Sequence, residues 1–475
     1  MNPARQRISV ALLTPYTGWN LGDGAIQDAV IDNLRARLAD PEVVLISISP
    51  LQTGQLHGVP GFPIAGAPLP YYSSTDGAMS RTGAKDNDEP PRLRERVERI
   101  LRGFPGVTAA MKRVKRLVRA GFRYLLLLPR EAIHLYRSTR LLRQVDLLII
   151  SGGGQIDDYW GGPWAHPYAL FKWSLLARAT GTRLVFLSVG VCTLDSRLSG
   201  YFVRRALRWA DYRSYRDQHS RDLLRDWPFT RRDAICPDLA FSHPGAASEG
   251  SDPPGRSRSP EIVALSPIAY LSTHGWPRRD AHVFAGYIKV LASFTADLLR
   301  DGWEVVLFAS DFLDQPVLDE MGVTLGGELP EPLLQRLRLP RIRAAGELIN
   351  ALLNVDVVIA SRLHGVILAH LAGKPVLAIS YDRKVNTYME DMDQAEYCLA
   401  VQQVQLDVVA GKFKSLIADA PRVRTTVSRR VEECRKRLAE QYDYLVRETR
   451  PAAVARGQQG NRFPDRPGVS AGRIQ

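Results

Sequence analysis

A chain of 475 residues is too long for one ordinary hydrophobic core and suits two domains with additions. Hydrophobic residues make up 45% of it and charged residues 24%, the balance of a soluble globular protein, and its formal charge of +13 favours anionic partners. Cys192, Cys236, Cys398 and Cys434 form no CxxC pair and no metal-ligand spacing, which argues against a disulfide framework or a zinc site and fits a reducing cytosol. Aromatic residues do not interleave with the basic runs, so nucleic acid is the least favoured anion. The N-terminus carries no signal-peptide pattern and no apolar run approaches the roughly 20 residues of a membrane span, so a cytoplasmic location is expected.

In chain order, ISVALLT from Ile8, VVLISIS from Val43, VDLLIIS from Val145 and RLVFLSVG from Arg183 read as buried strands of a first domain over 1–242. Within it, the pattern breaks between Gly54 and Arg143. A Pro/Gly/Ser stretch gives way there to basic helical segments over 92–143, read as a solvated insertion or as contacts for an anionic membrane surface. The Pro/Gly/Ser-rich residues 243–260 form a linker. IVALSP from Ile262, WEVVLFAS from Trp303, VDVVIAS from Val355 and KPVLAIS from Lys374 then predict the strands of a second domain over 261–420. A long helix over 421–450 and a disordered Gly/Pro/Arg-rich tail over 451–475 complete the chain. Near-continuous Val/Ile/Leu strands alternating with helical patterns predict an α/β fold with parallel sheets covered on both faces. VDLLIIS before three glycines and VDVVIAS before Arg-Leu-His-Gly form a weak internal echo of two related halves.

Open parallel sheets bind ligands beyond the carboxyl ends of their strands. After the first strand, Asn20, Gly22 and Asp23 form a tight turn and a helix begins near Asp23, whose N-terminus suits an anion; Asp23 reads equally as a helix cap. After the third predicted strand, Gly153 and Gly154 allow close backbone approach, and Asp157 and Asp158 offer a base or sugar-hydroxyl partners, or merely solvate the loop. Arg216 stands between a short strand and a helix, where its planar fork suits a carboxylate or phosphate, or else pairs with Asp217. Arg362, His364 and Gly365 lie in the turn after VDVVIAS: a permanent cation, an imidazole able to give or take a proton, and a glycine relieving crowding.

NLGD (Asn20 to Asp23), SGGG (Ser151 to Gly154), SVGV (Ser188 to Val191), YRDQHS (Tyr215 to Ser220), PDLAF (Pro237 to Phe241), SRLHG (Ser361 to Gly365) and GKPVLAISYDRKV (Gly373 to Val385) together resemble the polysaccharide pyruvyl transferase family. The resemblance spans roughly residues 8 to 400 and omits the insertion and the tail. It implies two Rossmann-like domains with parallel sheets facing a cleft, similar to GT-B glycosyltransferases. It also implies transfer of pyruvate from phosphoenolpyruvate to sugar hydroxyls, usually as a cyclic ketal on an exopolysaccharide or cell-wall glycan precursor. On that reading Arg216, Arg362 and Lys384 bind the donor with Asn20, Gly22, Asp23 and Gly365 around it, His364 and Arg362 carry the chemistry, and Gly153, Gly154, Asp157 and Asp158 meet a glycan or lipid-linked acceptor. No metal or other cofactor is expected.

Two other readings share these features: a GT-B-like glycosyltransferase using a nucleotide sugar, and a non-catalytic component of an exopolysaccharide assembly system. The transferase reading expects His364→Ala or Arg362→Ala to abolish turnover while leaving stability nearly intact.

Overall fold

The structure is a computed structural model that describes residues 8–66, 129–159, 161–246, 262–272 and 279–449. The first lobe holds a seven-stranded sheet of β1 (Ser9–Leu13), β2 (Glu42–Ser47), β3 (Gly61–Pro63), β4 (Leu147–Ser151), β5 (Arg183–Val189), β6 (Tyr212–Tyr215) and β7 (Ala234–Ile235). The second holds β8 (Ile262–Ser266), β9 (Glu304–Leu307), β10 (Leu337–Arg338), β11 (Val357–Ala360), β12 (Val376–Ser380) and β13 (Cys398–Ala400). Every pairing is parallel, and the orders are β3-β2-β1-β4-β5-β6-β7 and β10-β9-β8-β11-β12-β13. Each sheet therefore reverses its winding once, between β1 and β4 and between β8 and β11, which leaves a crevice at the carboxyl end. The two halves of the internal echo, β4 and β11, are the strands immediately past the reversal in their own sheets.

All eight apolar runs named above became strands, because a strand buried on both faces favours apolar residues at nearly consecutive positions. Val10 and Leu12 of β1 face one core while Ala11 and Leu13 face another; Leu147 and Ile149 of β4 split from Leu148 and Ile150 in the same way. The short strands β3, β7, β10 and β13 have no such run, since an edge strand of two or three residues buries too little to demand one.

The insertion begins later than expected. Gly54 lies inside the helix Pro50–His57, and Gly61–Pro63 is a strand paired with β2. Both need glycine for space: a Cβ at Gly54 would come within 2.7 Å of the Val59 carbonyl oxygen, and one at Gly61 within 1.9 Å of the Pro50 carbonyl oxygen. A helix over 129–142 closes the segment and is fastened to the lobe by the pair of buried Lys172 with half-buried Glu131 and by His134 Nε2 against the Pro63 carbonyl. The rest of the expected basic insertion, most of the linker and the tail after Arg450 lie outside the described residues.

The C-terminal helix spans Ala420–Thr449 and ties the lobes together. Val423, Val427 and Val431 join the second lobe's core, while Gln441 reaches Tyr212 and Ser188 of the first lobe and Arg37 pairs with Asp443. The helix Leu21–Arg37 packs directly against the helices Ala345–Leu353 and Leu363–Leu371, so one hydrophobic cluster runs from one face of the first sheet through the second lobe.

Candidate functional site

The two carboxyl edges meet through short segments. Leu21 N–H donates to the Ser310 carbonyl at 3.0 Å and Phe312 N–H to the Trp19 carbonyl at 3.1 Å, making a small antiparallel bridge between lobes. Asn20 takes part twice: its amide nitrogen donates to Asp311 Oδ2 at 3.0 Å and its Oδ1 accepts the Asp23 N–H at 3.0 Å. Asn20 is thus the cap, the helix starts at Leu21, and the expectation of a cap at Asp23 is corrected. Asp23 instead sits in the first turn. Burial pushes its carboxyl up against the pull of His364, and Asp311 and Asp238 add to the rise.

Gly22 is the tightest point of the interface. A Cβ there would lie 2.0 Å from Cγ of His364, so only a glycine lets the second lobe's imidazole rest on the first lobe's helix. Gly153, with φ of +64°, faces Asp23, whose Oδ1 would be 3.2 Å from an added Cβ; Gly154 looks into open space.

Arg216 follows β6 and lies over Gly190, where a Cβ would meet its guanidinium at 3.0 Å. A bulge in β5 between Phe186 and Val189, with Ser188 at φ of +49°, turns this loop so that Gly190 N–H bonds the Gly153 carbonyl at 2.7 Å. Ser188 is held by Ser214 Oγ on its N–H and by Gln441 Nε2 on its hydroxyl. Arg216 shows the internal pairing offered as the alternative reading of it. It pairs with Asp217 at 3.3 Å, while Asp217 caps the next helix through Ser220 N–H, and its other end lies 3.6 Å from Asp238 Oδ2.

His364 Nε2 approaches the same Asp238 oxygen at 3.5 Å. Both atoms are buried, and neither has a hydrogen-bond partner among the described residues. Burial works to raise the Asp238 carboxyl, but His364 and Arg216 overcome it and hold it below the ordinary range.

Arg362 corrects the expectation of an open cationic fork. Its Nε and one terminal nitrogen bond both oxygens of the fully buried Asp314, the latter at 2.9 Å, and its other nitrogen is 3.3 Å from Asp311. The helix Leu363–Leu371 that follows has no side-chain cap, so no side chain occupies its first N–H groups. The expected crowding at Gly365 is also absent: an added Cβ would make ordinary contacts of 3.4 Å to Ala360 and 3.5 Å to Ser310.

Lys384 keeps its ammonium 3.7 Å from Asp382 and 5.2 Å from the Tyr381 ring centre, with its side chain 35% exposed. Burial acts to lower it; Tyr381 and Asp382 outweigh that and raise it above a lysine's ordinary value. Asp157 faces this cation from the first lobe, its own carboxyl pushed up by burial and eased by its bond from the Tyr159 N–H and by Lys384. Asp158 is spent elsewhere. Its carboxylate accepts the N–H groups of Asp195 and Ser196 at 3.1 and 2.9 Å and fastens two loops, so it is removed from the acceptor candidates.

The structure thus gathers Asn20, Gly22, Asp23, Gly153, Arg216, Arg362, His364 and Lys384 at one inter-lobe edge. It adds Asp238, Asp311 and Gly190, which sequence reasoning did not single out. PDLAF had already marked Asp238's neighbourhood, and a carboxylate after a strand opposite an Arg/His turn was the available signal. Asp311 had none.

The family model described as polysaccharide pyruvyl transferase matches residues 20–383. No curated protein matches the sequence. Among solved structures, the chain is similar to a UDP-GlcNAc 2-epimerase from Methanocaldococcus jannaschii, with 9% identity, 87% of this chain and 93% of that chain covered and a TM-score of 0.50. It is similar also to a UDP-N-acetylglucosamine 2-epimerase with 12% identity, 97% and 100% covered and a TM-score of 0.50. At such identities the likeness concerns the fold, a pair of Rossmann-like lobes of GT-B type.

Proposed function

The chain belongs to the polysaccharide pyruvyl transferase family, and from that premise we propose that its inter-lobe site takes pyruvate from phosphoenolpyruvate and delivers it as a cyclic ketal to two hydroxyls of a sugar in an exopolysaccharide or cell-wall glycan precursor. The observation that carries the site is the meeting of His364 and Arg216, from opposite lobes, on one buried carboxylate, Asp238.

The donor brings a phosphate and a carboxylate, so cations and N–H groups must receive both. Lys384 offers the most exposed positive charge, and the uncapped start of Leu363–Leu371 adds N–H donors and a positive dipole end. Arg216 turns from Asp217 and Asp238 to the donor as the anion arrives, exchanging one charge-assisted bond for another. Arg362, fixed on Asp314 and Asp311, holds the turn that carries His364 rather than gripping the donor itself.

His364 delivers a proton to the enol C3. The C2 carbon becomes oxocarbenium-like and is attacked by one sugar hydroxyl, with Asp23 as the candidate base for its proton. The C2–O bond to phosphate then breaks as the second hydroxyl closes the ring. Of the two hydroxyl protons released, one replaces that given to C3 and one leaves with inorganic phosphate. No redox group enters this balance. Positioning two hydroxyls against one carbon supplies much of the acceleration.

Thermal unfolding with phosphoenolpyruvate, UDP and UDP-GlcNAc, followed by phosphate release with a glycan acceptor, tests the reading. Phosphoenolpyruvate is expected to stabilise the protein by mass action, with acceptor-dependent phosphate release. Stabilisation by UDP or UDP-GlcNAc alone would assign the site to nucleotide-sugar chemistry instead.

A further inference from the structure

The second core of the first lobe is roofed by three adjacent helices, 129–142, His166–Thr180 and Arg197–Trp209. His134 packs edge-on to Trp173 at 5.9 Å and Phe171 meets Phe202 at 5.0 Å, so the three form one layer over the sheet. Their outward sides share one chemistry. On Arg197–Trp209, Phe202, Val203, Ala206 and Leu207 are buried, while Arg197, Leu198, Tyr201, Arg204, Arg205 and Arg208 are exposed. The helix 129–142 exposes Arg130, Arg137 and Arg140 beside Ile133 and Tyr136, which are 53% and 64% exposed. Between them, Leu175 and Arg178 are exposed, and Trp164, 59% exposed, stands just ahead of the central helix.

The three helices contain one acidic residue, Glu131, and it is consumed by Lys172. Among the described residues none of the eight exposed arginines is ion-paired, in contrast to the C-terminal helix, where Arg422, Arg429 and Arg430 pair with Glu396, Asp393 and Glu433. A solvated helix face ordinarily mixes both signs. Eight arginines without a carboxylate, interleaved with tyrosine, tryptophan, leucine and isoleucine, match the interface of an anionic bilayer, where the charges meet phosphates and the amphipathic side chains enter the headgroup layer. Among the described residues no helix is long and apolar enough to cross a membrane, so such contact would be peripheral.

We propose that the outer face of these three helices docks the protein on an anionic lipid bilayer. The helices His166–Thr180 and Arg197–Trp209 follow β4 and β5, so they begin at the carboxyl edge that also carries Gly153 and Gly190. Trp164, Arg197 and Leu198 lie at that end, and docking there brings the inter-lobe edge to the lipid surface. The surface does not depend on the reaction proposed above, since its test needs no turnover.

The test is sedimentation of the full chain with vesicles of phosphatidylcholine alone or with one third phosphatidylglycerol, at low and raised salt. Binding is expected only to the phosphatidylglycerol vesicles and to weaken with salt. Arg197→Ser/Arg204→Ser/Arg208→Ser should weaken it at least about tenfold, each arginine being worth about one kcal/mol near such a surface. Leu198→Ser/Tyr201→Ser should weaken it at unchanged charge, and all five positions are exposed, so unchanged thermal unfolding certifies the fold. Equal binding to both vesicle types, or undiminished binding by the arginine variant, would overturn the proposal. So would a soluble polyanion such as heparin binding through these arginines while the vesicles do not.

Discussion

His364 Nε2, from the second lobe, stands 3.5 Å from Asp238 Oδ2 of the first, and the same oxygen is 3.6 Å from Arg216. The carboxylate is therefore the hinge of a charge set that exists only when the lobes are together. Asp238→Asn keeps the shape and removes the charge that orients the imidazole. Turnover is expected to fall about 10²-fold or more, the range of a general acid–base contribution. The measured kcat should fall more than KM rises, with an altered pH–rate profile; an unaltered profile with full activity would remove Asp238 from the site.

Gly22 tests the closeness of the lobes directly. Gly22→Ala places a methyl group 2.0 Å from the His364 ring, so either the ring or the lobe must shift. A displacement of about 1 Å costs on the order of 10² in rate, and overpacking about 1–3 kcal/mol of stability. Gly154→Ala, facing open space, is the matched control and should change stability by less than about 0.5 kcal/mol.

Arg362 reverses an expectation about stability. Read as a free donor-binding cation, it would be removable without loss of fold. Paired with the fully buried Asp314, it is not: Arg362→Met leaves that carboxylate uncompensated and should cost about 3–5 kcal/mol in urea unfolding. A double variant, Arg362→Met/Asp314→Leu, should recover much of the loss while remaining inactive. Stability unaffected by the single exchange would show the pair to be inconsequential.

His166 gives a pH dependence of definite sign. Burial pushes it down to about 3, while an unfolded histidine titrates near 6.5. Between those values the unfolded chain binds one proton more than the folded one. The stability tied to His166 is thus complete above about pH 6.5 and drains as pH falls toward 3. In His166→Gln, the fall in urea midpoint between pH 6 and 4 should be shallower than in the unaltered protein. Parallel curves for the two proteins would contradict the assignment.

Much of this was legible in the sequence because doubly covered parallel strands leave an unmistakable mark. The LLII of VDLLIIS and the VVIA of VDVVIAS have no polar alternate positions, and the turns after them fall at the ligand edge by topology alone. His364 was singled out that way, Arg216 by its place between a short strand and a helix, and Lys384 only through the family resemblance. Edge strands such as Ala234–Ile235 left no mark, because two residues at a sheet margin bury too little to constrain their type.

What the sequence by itself determined is the pair of lobes and the chemical types present at each strand end, since burial and turn chemistry are local demands. What only the tertiary structure decided is which charges meet. Asp238 and His364 are separated by more than a hundred positions, and nothing in either neighbourhood says that one carboxylate serves Arg216 and His364 while two others occupy Arg362. Electrostatic partnership depends on distances of a few ångströms, and those are set by how the two packed bodies close on Gly22.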